Sequence, residues 1–154
     1  MPGNRYKRPE SVLVVIYNLR GEVLLLRRSY PRGFWQSVTG SLHWGESALQ
    51  AARRELYEET GFMAGAAGLV DLSLQVRFPI LGPWRARYAP GAQVNTEHWF
   101  ALPLGRRRLP RLRVAEHSEY RWLPYPQALR LASSWSNRKA IRLLFGEPGL
   151  SDSC

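Results

Sequence analysis

Apolar positions recur along the chain at two periods, and the change of period marks out the elements. "SVLVVIY" (Ser11–Tyr17) is a nearly unbroken β-branched run, the pattern of a strand buried on both faces. A polar turn, "NLRG", separates it from "EVLLLRR" (Glu22–Arg28), so the two are expected to form a hairpin. Further strands are predicted at Trp35–Ser41, Leu69–Val76, Asn95–Leu104 and Glu119–Pro124. Three segments read as helices. The first runs from about Glu46 to Thr60 and is closed by Gly61. The second, Tyr125–Ser133, opens near Pro126. The third, Asn137–Phe145, takes Ser136 or Asn137 as N-cap and Gly146 as its stop. The Pro- and Gly-rich stretch "FPILGPWRARYAPGAQVN" from Phe78 to Asn95 reads as a long loop, and such loops often carry function. This order of elements predicts an α/β sandwich with a mixed sheet.

Composition narrows the picture. A chain of 154 residues, 45% hydrophobic, holds one ordinary core and not two, so a single domain over 1–154 is expected, with about 5–146 as its ordered core and 147–154 as a frayed tail. The one cysteine, Cys154, leaves no intrachain disulfide and no cysteine-based metal site, which fits a reducing setting. "VLVVIY" is too short for a signal core or a membrane span. A soluble, cytoplasmic protein with no membrane partner is expected. The formal net charge of +10 suits either a solubilising surface or attraction of an anion, a polyphosphate or a nucleic acid. The densest basic cluster, "GRRRLPRLR" (Gly105–Arg113), has no interleaved aromatics and contains a proline, so it is expected as a solvated loop.

Against this basic background, "ARRELYEETGF" (Ala52–Phe62) crowds three carboxylates together. At about 100° per residue, Glu55, Glu58 and Glu59 fall within roughly 100° of arc, beside an apolar stripe of Leu49, Ala52 and Leu56. Like charges at these spacings repel by a few tenths of a kcal/mol per exposed pair. A solvated acidic face tolerates that cost, and the three-residue pattern alone favours that plain reading. A divalent cation reverses the sign, and oxygen ligands on one rigid face suit Mg²⁺.

The surrounding residues decide between these readings. From Gly40, "GSLHWGESALQAARRELYEETGF" places Glu46, Arg54-Glu55, apolar Leu56, Glu58-Glu59, Gly61 and apolar Phe62 at the spacing of the signature of the Nudix hydrolases, which it resembles without a departure. At ordinary residue frequencies a chance match is on the order of 10⁻⁹ per start position. The resemblance implies the Nudix α/β/α sandwich, with a loop–helix–loop that binds Mg²⁺, with Mn²⁺ as a substitute, and hydrolyses a diphosphate linked to another moiety. The physics of each position agrees. Gly40 permits a tight exit from a strand. Glu46 suits a helix N-terminus. Arg54 steadies the glutamates by charge-assisted bonds.

Other phrases resemble, in order and from about Tyr6 to Ile141, the bacterial branch of the family that converts dihydroneopterin triphosphate to the monophosphate and pyrophosphate. These are "YKRPESVLVVIY", "FWQSVTGS", "RYAPG" with "NTEHWF", "EHSEYRWL" and "SWSNRKAI". That resemblance implies Glu55, Glu59 and Glu116 as metal ligands. It implies Lys7, Arg28, Thr39 and Ser134 as substrate contacts, together with the segment Phe78, Pro79, Ile80 and Leu81. At Pro79 and the following Gly82-Pro83 this chain departs from the branch. Arg87 and Tyr88, in the "RYAPG" loop, are further site candidates. Strand alternation sends only one of Arg27 and Arg28 toward the site. For the general base, Glu58 and Glu116 both stand as candidates.

His43, His98 and His117 show no metal-ligand spacing and are expected at the surface or behind the ligands. Most tryptophans are expected in the core, with Trp84 and Trp135 as the candidates to stack a ring. The expected partner is a small-molecule triphosphate, a pterin or a nucleotide, and not a nucleic acid. The competing functions are hydrolysis of (deoxy)nucleoside triphosphates, pyrophosphohydrolysis at an RNA 5′ end, and a non-catalytic RNA-binding module of the same fold. The intact glutamates argue against the last. Oligomeric state has no signal in the sequence.

Overall fold

The structure is a computed structural model that describes residues 5–65 and 68–146, so the expected tail at 147–154 lies outside the described residues. β1 (Glu10–Asn18) and β2 (Glu22–Arg28) form the expected hairpin, with Gly21 at φ 77° in the turn. Their pairing is confined to Ile16–Leu24 and Tyr17–Val23. Beyond that the strands part. The Ser11–Val14 end of β1 pairs with β4 (Val38–Ser41), whereas β2 pairs with β3 (Trp35–Gln36) and with β7 (His117–Pro124). The single strand expected over Trp35–Ser41 is therefore two. Its halves serve different neighbours, and at the break Ser37 donates its backbone N–H to Asn137 Oδ1 at 2.7 Å. β6 (Val94–Leu104) runs parallel to β1 along its length, and β5 (Val70–Pro79) lies antiparallel outside β6. The outcome is a seven-stranded mixed sheet that splits between β1 and β2.

Helices cover both faces. α1 (Ala48–Thr60) lays Ala51, Ala52 and Leu56 on Val12, Val14, Ile16 and Phe100. α2 (Tyr125–Leu131) and α3 (Trp135–Leu144) lay Ala128, Ala140 and Ile141 on Leu13, Val15 and Trp99. Alternate residues of β1 thus enter opposite cores, which explains its unbroken apolar run. Full burial of one such Leu or Val stabilises by about 1.5–3 kcal/mol. The expected α/β/α sandwich with a mixed sheet is the observed architecture.

Local chemistry sets the helix ends. α1 opens on a capping box, with Gln50 N–H donating to Ser47 Oγ and Ser47 N–H to Gln50 Oε1, and it closes on Gly61 at φ 77°. Glu46 therefore precedes the helix rather than starting it. Leu49, placed on the apolar stripe, is partly exposed, and Ala51 is buried instead. α3 begins two residues earlier than expected, capped by Ser134, which accepts from Asn137 N–H. Ser136 and Asn137 lie buried within it, because the Asn137 side chain is committed to Ser37. The stretch expected as one loop from Phe78 to Asn95 is more ordered. Phe78 and Pro79 end β5, a 3-10 helix spans Gly82–Arg87, and Val94 and Asn95 begin β6. The basic cluster is a loop, but several of its arginines are engaged. Arg107 pairs with Glu22, Arg108 stacks on Phe62, and Arg111 stacks on Tyr57. Among the described residues no helix is long and apolar enough to cross a membrane.

Candidate active site

Where β1 and β2 part, an open cavity of about 1170 Å³ forms between the two halves of the sheet. Glu55, Glu58 and Glu59 line it from α1, and Glu116 lines it from the turn before β7. Lys7, Arg28 and Arg87 bring positive charge to the same space. Thr39 lies on β4 and Ser134 at the cap of α3, and Phe78, Pro79, Ile80 and Leu81 close another side. Of the candidates, Arg54 and Trp135 are not part of the wall.

Arg54 acts behind it. Its Nε and Nη2 hold both oxygens of Glu46 at 2.8 and 2.9 Å, Nη1 holds Glu55 Oε1 at 2.6 Å, and Nη2 also donates to the Ser41 carbonyl at 2.9 Å. Its reach to Glu58 is longer, 3.4 Å. Glu46 is fixed in turn by the His43 N–H at 2.8 Å, and Arg54 beside it draws its carboxyl down to about 2. A planar, five-donor side chain thereby ties the loop before α1 to the glutamate face.

Glu55 packs against the backbone of β4. A methyl group placed on Gly40 would lie 2.2 Å from Glu55 Cδ, so only glycine leaves room for this carboxylate. Glu59 is 2% exposed, and its Oε1 has no hydrogen-bond partner among the described residues. Burial, then contact with Glu55 and the charges of Glu55 and Glu116, push its carboxyl well above the ordinary value, against a hydrogen bond from the Thr39 backbone. Two carboxylates in contact, one buried with an orphaned oxygen, form an all-oxygen donor set of the kind a hard divalent cation relieves. Glu116 is less committed to them, since its carboxylate meets Arg113 at 3.4 Å. Among the described residues no three His, Cys, Asp or Glu side chains are grouped as ready ligands. The residues present fit a divalent ion held first by Glu55 and Glu59.

On the cationic side, Lys7 lies over the Tyr88 ring, 5.8 Å from its centre. Burial, and then the neighbouring Arg87 and Arg28, lower its ammonium from the ordinary value. Alternation separates the arginine pair as expected: Arg27 meets Glu119 at 3.4 Å, while Arg28 faces the cavity, with Nε on the Tyr30 carbonyl.

Of the two places expected for His117, at the surface or behind the ligands, the structure shows the second, and several other cavity residues were not legible beforehand. The His117 Nε2 stands 3.7 Å from Glu59 Oε1, and burial together with Arg28 lowers it to about 4, against the pull of Glu116. Trp44 joins Trp84 in the wall, whereas Trp135, at the first turn of α3, does not line it. Ser11, Asn95 and Glu97 line the cavity from the face of the sheet under α3. A sequence signal for the last two exists: "NTEHW" puts Asn95, Glu97 and Trp99 on one face of a strand, two polar residues on a side that must be buried.

Comparison with known proteins agrees with this fold. The NUDIX domain model matches residues 7–144. The dihydroneopterin triphosphate diphosphatase of Escherichia coli strain K12 is 48% identical over 139 residues, covering 88% of this chain and 91% of that protein. The enzyme of the same name from Haemophilus influenzae is 35% identical over 141 residues, covering 90% and 88%. The solved structure of the E. coli dihydroneopterin triphosphate pyrophosphohydrolase superposes with a TM-score of 0.82, covering 90% of this chain and 95% of that one. On its signature, its split mixed sheet and these relatives, the chain belongs to the Nudix family.

Proposed function

We propose that this chain is a Mg²⁺-dependent pyrophosphohydrolase that converts dihydroneopterin triphosphate to dihydroneopterin monophosphate and pyrophosphate. Nudix hydrolases act on diphosphate bonds and generally use divalent metal ions. The observation that carries the reading is the meeting, in one cavity, of the α1 glutamates with Lys7, Arg28 and Arg87. The 48% identity to the E. coli enzyme over nearly the whole chain supports the pterin substrate.

In this reading Glu55, Glu59 and Glu116 hold the metal, with Mn²⁺ able to replace Mg²⁺. The bound ion supplies neutralisation of diphosphate oxygens and acidification of a water. Lys7, Arg28 and Arg87 bind and orient the phosphate chain. Thr39 and Ser134 give polar contacts, and Phe78–Leu81 border the ring. Glu58 takes the proton from the attacking water, with Glu116 as the other candidate. Arg54 is a positioning residue. The chain works as one cytoplasmic domain on a small-molecule triphosphate.

A panel of triphosphates with pyrophosphate detection, run with and without Mg²⁺, tests the assignment. The expected result is metal-dependent pyrophosphate release, fastest from dihydroneopterin triphosphate. Equal or faster release from dATP or 8-oxo-dGTP would overturn the pterin assignment in favour of nucleotide hydrolysis. Salt-sensitive RNA binding without hydrolysis would overturn the enzyme reading.

A further inference from the structure

Away from the glutamates, the cavity contains a second polar group for which phosphate chemistry has no use. Glu97 is 6% exposed on β6, paired in register with Ser11 of β1, and both line the cavity. Its Oε1 accepts the Trp99 indole N–H at 3.0 Å, and Ser136 supplies a further hydrogen bond. A carboxylate has about four acceptor positions, so two donors leave it short. Burial raises its carboxyl above the ordinary value, so the unoccupied lone pairs carry a free-energy cost that a donor pair would recover. Two residues earlier on the same face, Asn95 donates Nδ2–H to Ser11 Oγ at 2.8 Å and leaves its buried Oδ1 without a partner. The neighbouring Asn137 is committed to Ser37 through both its oxygen and its amide. The wall therefore presents acceptors without matching donors.

A buried surface short of donors selects a ring edge rich in them. The 2-amino-4-oxo pyrimidine edge of a pterin, shared with guanine, offers an N–H and an NH₂ side by side, the spacing a carboxylate accepts with two oxygens. Adenine offers a lone pair where that N–H stands, and a carboxylate repels it. We propose that Glu97, assisted by the Asn95 carbonyl oxygen, reads the 2-amino-4-oxo edge of the substrate ring and sets the preference for pterin and guanine over adenine. This rests on the reading of the chain as a pterin triphosphate hydrolase and assigns the residues that make it one.

Two measurements test it. In the first, kcat/KM for dihydroneopterin triphosphate, GTP and ATP is compared in wild type and Glu97→Gln. The amide keeps the shape but offers one acceptor and one donor, which matches adenine, so the ratio of dihydroneopterin triphosphate to ATP falls by roughly 10- to 100-fold. A proportional loss on all three substrates, or an unchanged ratio, overturns the proposal. The second uses free neopterin, which is fluorescent, titrated into metal-free protein. Wild type binds neopterin more tightly than adenosine; Glu97→Gln loses that difference, and Asn95→Ala, a variant that leaves Glu97 in place, loses part of it. Equal affinity of neopterin and adenosine for wild type also overturns the proposal. Binding without turnover separates the two readings. Neopterin selectivity that depends on Glu97, with no pyrophosphate release, sinks the hydrolase and keeps the ring reader. Turnover with unaltered selectivity in Glu97→Gln does the reverse.

Discussion

The Glu55 carboxylate occupies the space a side chain at residue 40 would need: a Cβ on Gly40 would stand 2.2 Å from Glu55 Cδ. Gly40 therefore matters to this site as room for a ligand, beyond any role in the turn. Because the clash is with the end of a flexible side chain, Gly40→Ala is expected to fold, with a melting temperature near wild type, while Glu55 is displaced. Misplacement of about 1 Å costs roughly 100-fold in rate. Steady-state kinetics beside a thermal melt check this, and wild-type turnover in Gly40→Ala would remove the packing argument.

Glu59 sets an opposition between function and stability. Its folded-state carboxyl lies above the ordinary value, so the metal-free folded protein holds a proton that the unfolded chain releases. The sign follows: stability is greatest below about pH 4.5 on this account and falls as pH rises through the raised value. Glu59→Gln is expected to melt above wild type at pH 8 without metal, and to lose turnover by orders of magnitude. A melt that shows Glu59→Gln strongly destabilised at pH 8 would make this carboxylate structural.

Metal is expected to close that gap. Mg²⁺ at about 100 times its Kd stabilises wild type by about 2.7 kcal/mol. Glu59→Gln and Glu55→Gln should show a much smaller shift. Differential scanning fluorimetry over a Mg²⁺ series measures it, and equal shifts in all three proteins would place the ion elsewhere.

The Glu46–Arg54 pair gives a pH dependence of opposite sign. Glu46 is held at about 2, so its contribution is present above about pH 4.5 and is lost as pH falls toward 2. Urea melts of wild type and Glu46→Gln should differ at pH 6 and converge near pH 2. Arg54→Lys cannot span Glu46, Glu55 and Ser41 together, and is expected to cost roughly 1–3 kcal/mol of stability and at least 10-fold in kcat. Activity of Arg54→Lys matching wild type would show that the glutamates hold their places unaided.

The cationic side predicts a binding effect. With burial, Arg87 and Arg28 already lowering it, the Lys7 ammonium is stabilised by an arriving phosphate anion. Lys7→Met should raise KM by about 10-fold with a smaller change in kcat, and wild-type KM should rise with salt as surface attraction is screened. A KM insensitive to both would move the phosphates away from this cluster.

How much of this was legible follows from how far each signal reaches along the chain. The α1 glutamates, Gly61 and the hairpin lie in continuous stretches whose periods and caps report directly on conformation, and they could be read. The break at Ser37 could not, because it depends on Asn137, a hundred residues away. For the same reason the cap of α3 was misplaced: Asn137 looks like a cap by type, but its side chain is spent on Ser37.

By itself, then, the sequence determined the local grammar: which segments are strands, where α1 ends, and that three glutamates share a helix face at a spacing that a metal explains. Only the tertiary structure decided that β1 and β2 part to open a cavity, and how Lys7, Arg28, Arg87 and Glu116, which the resemblance had named, reach it from four separate segments. It also decided that His117 is buried beside Glu59 and that Glu97 faces inward with lone pairs to spare. The physical reason is range. Helix and strand patterns arise from neighbours a few residues apart. Burial, the clash that reserves Gly40 for Glu55, and the field that shifts Glu59 and Lys7 arise from groups brought close only by the folded sheet.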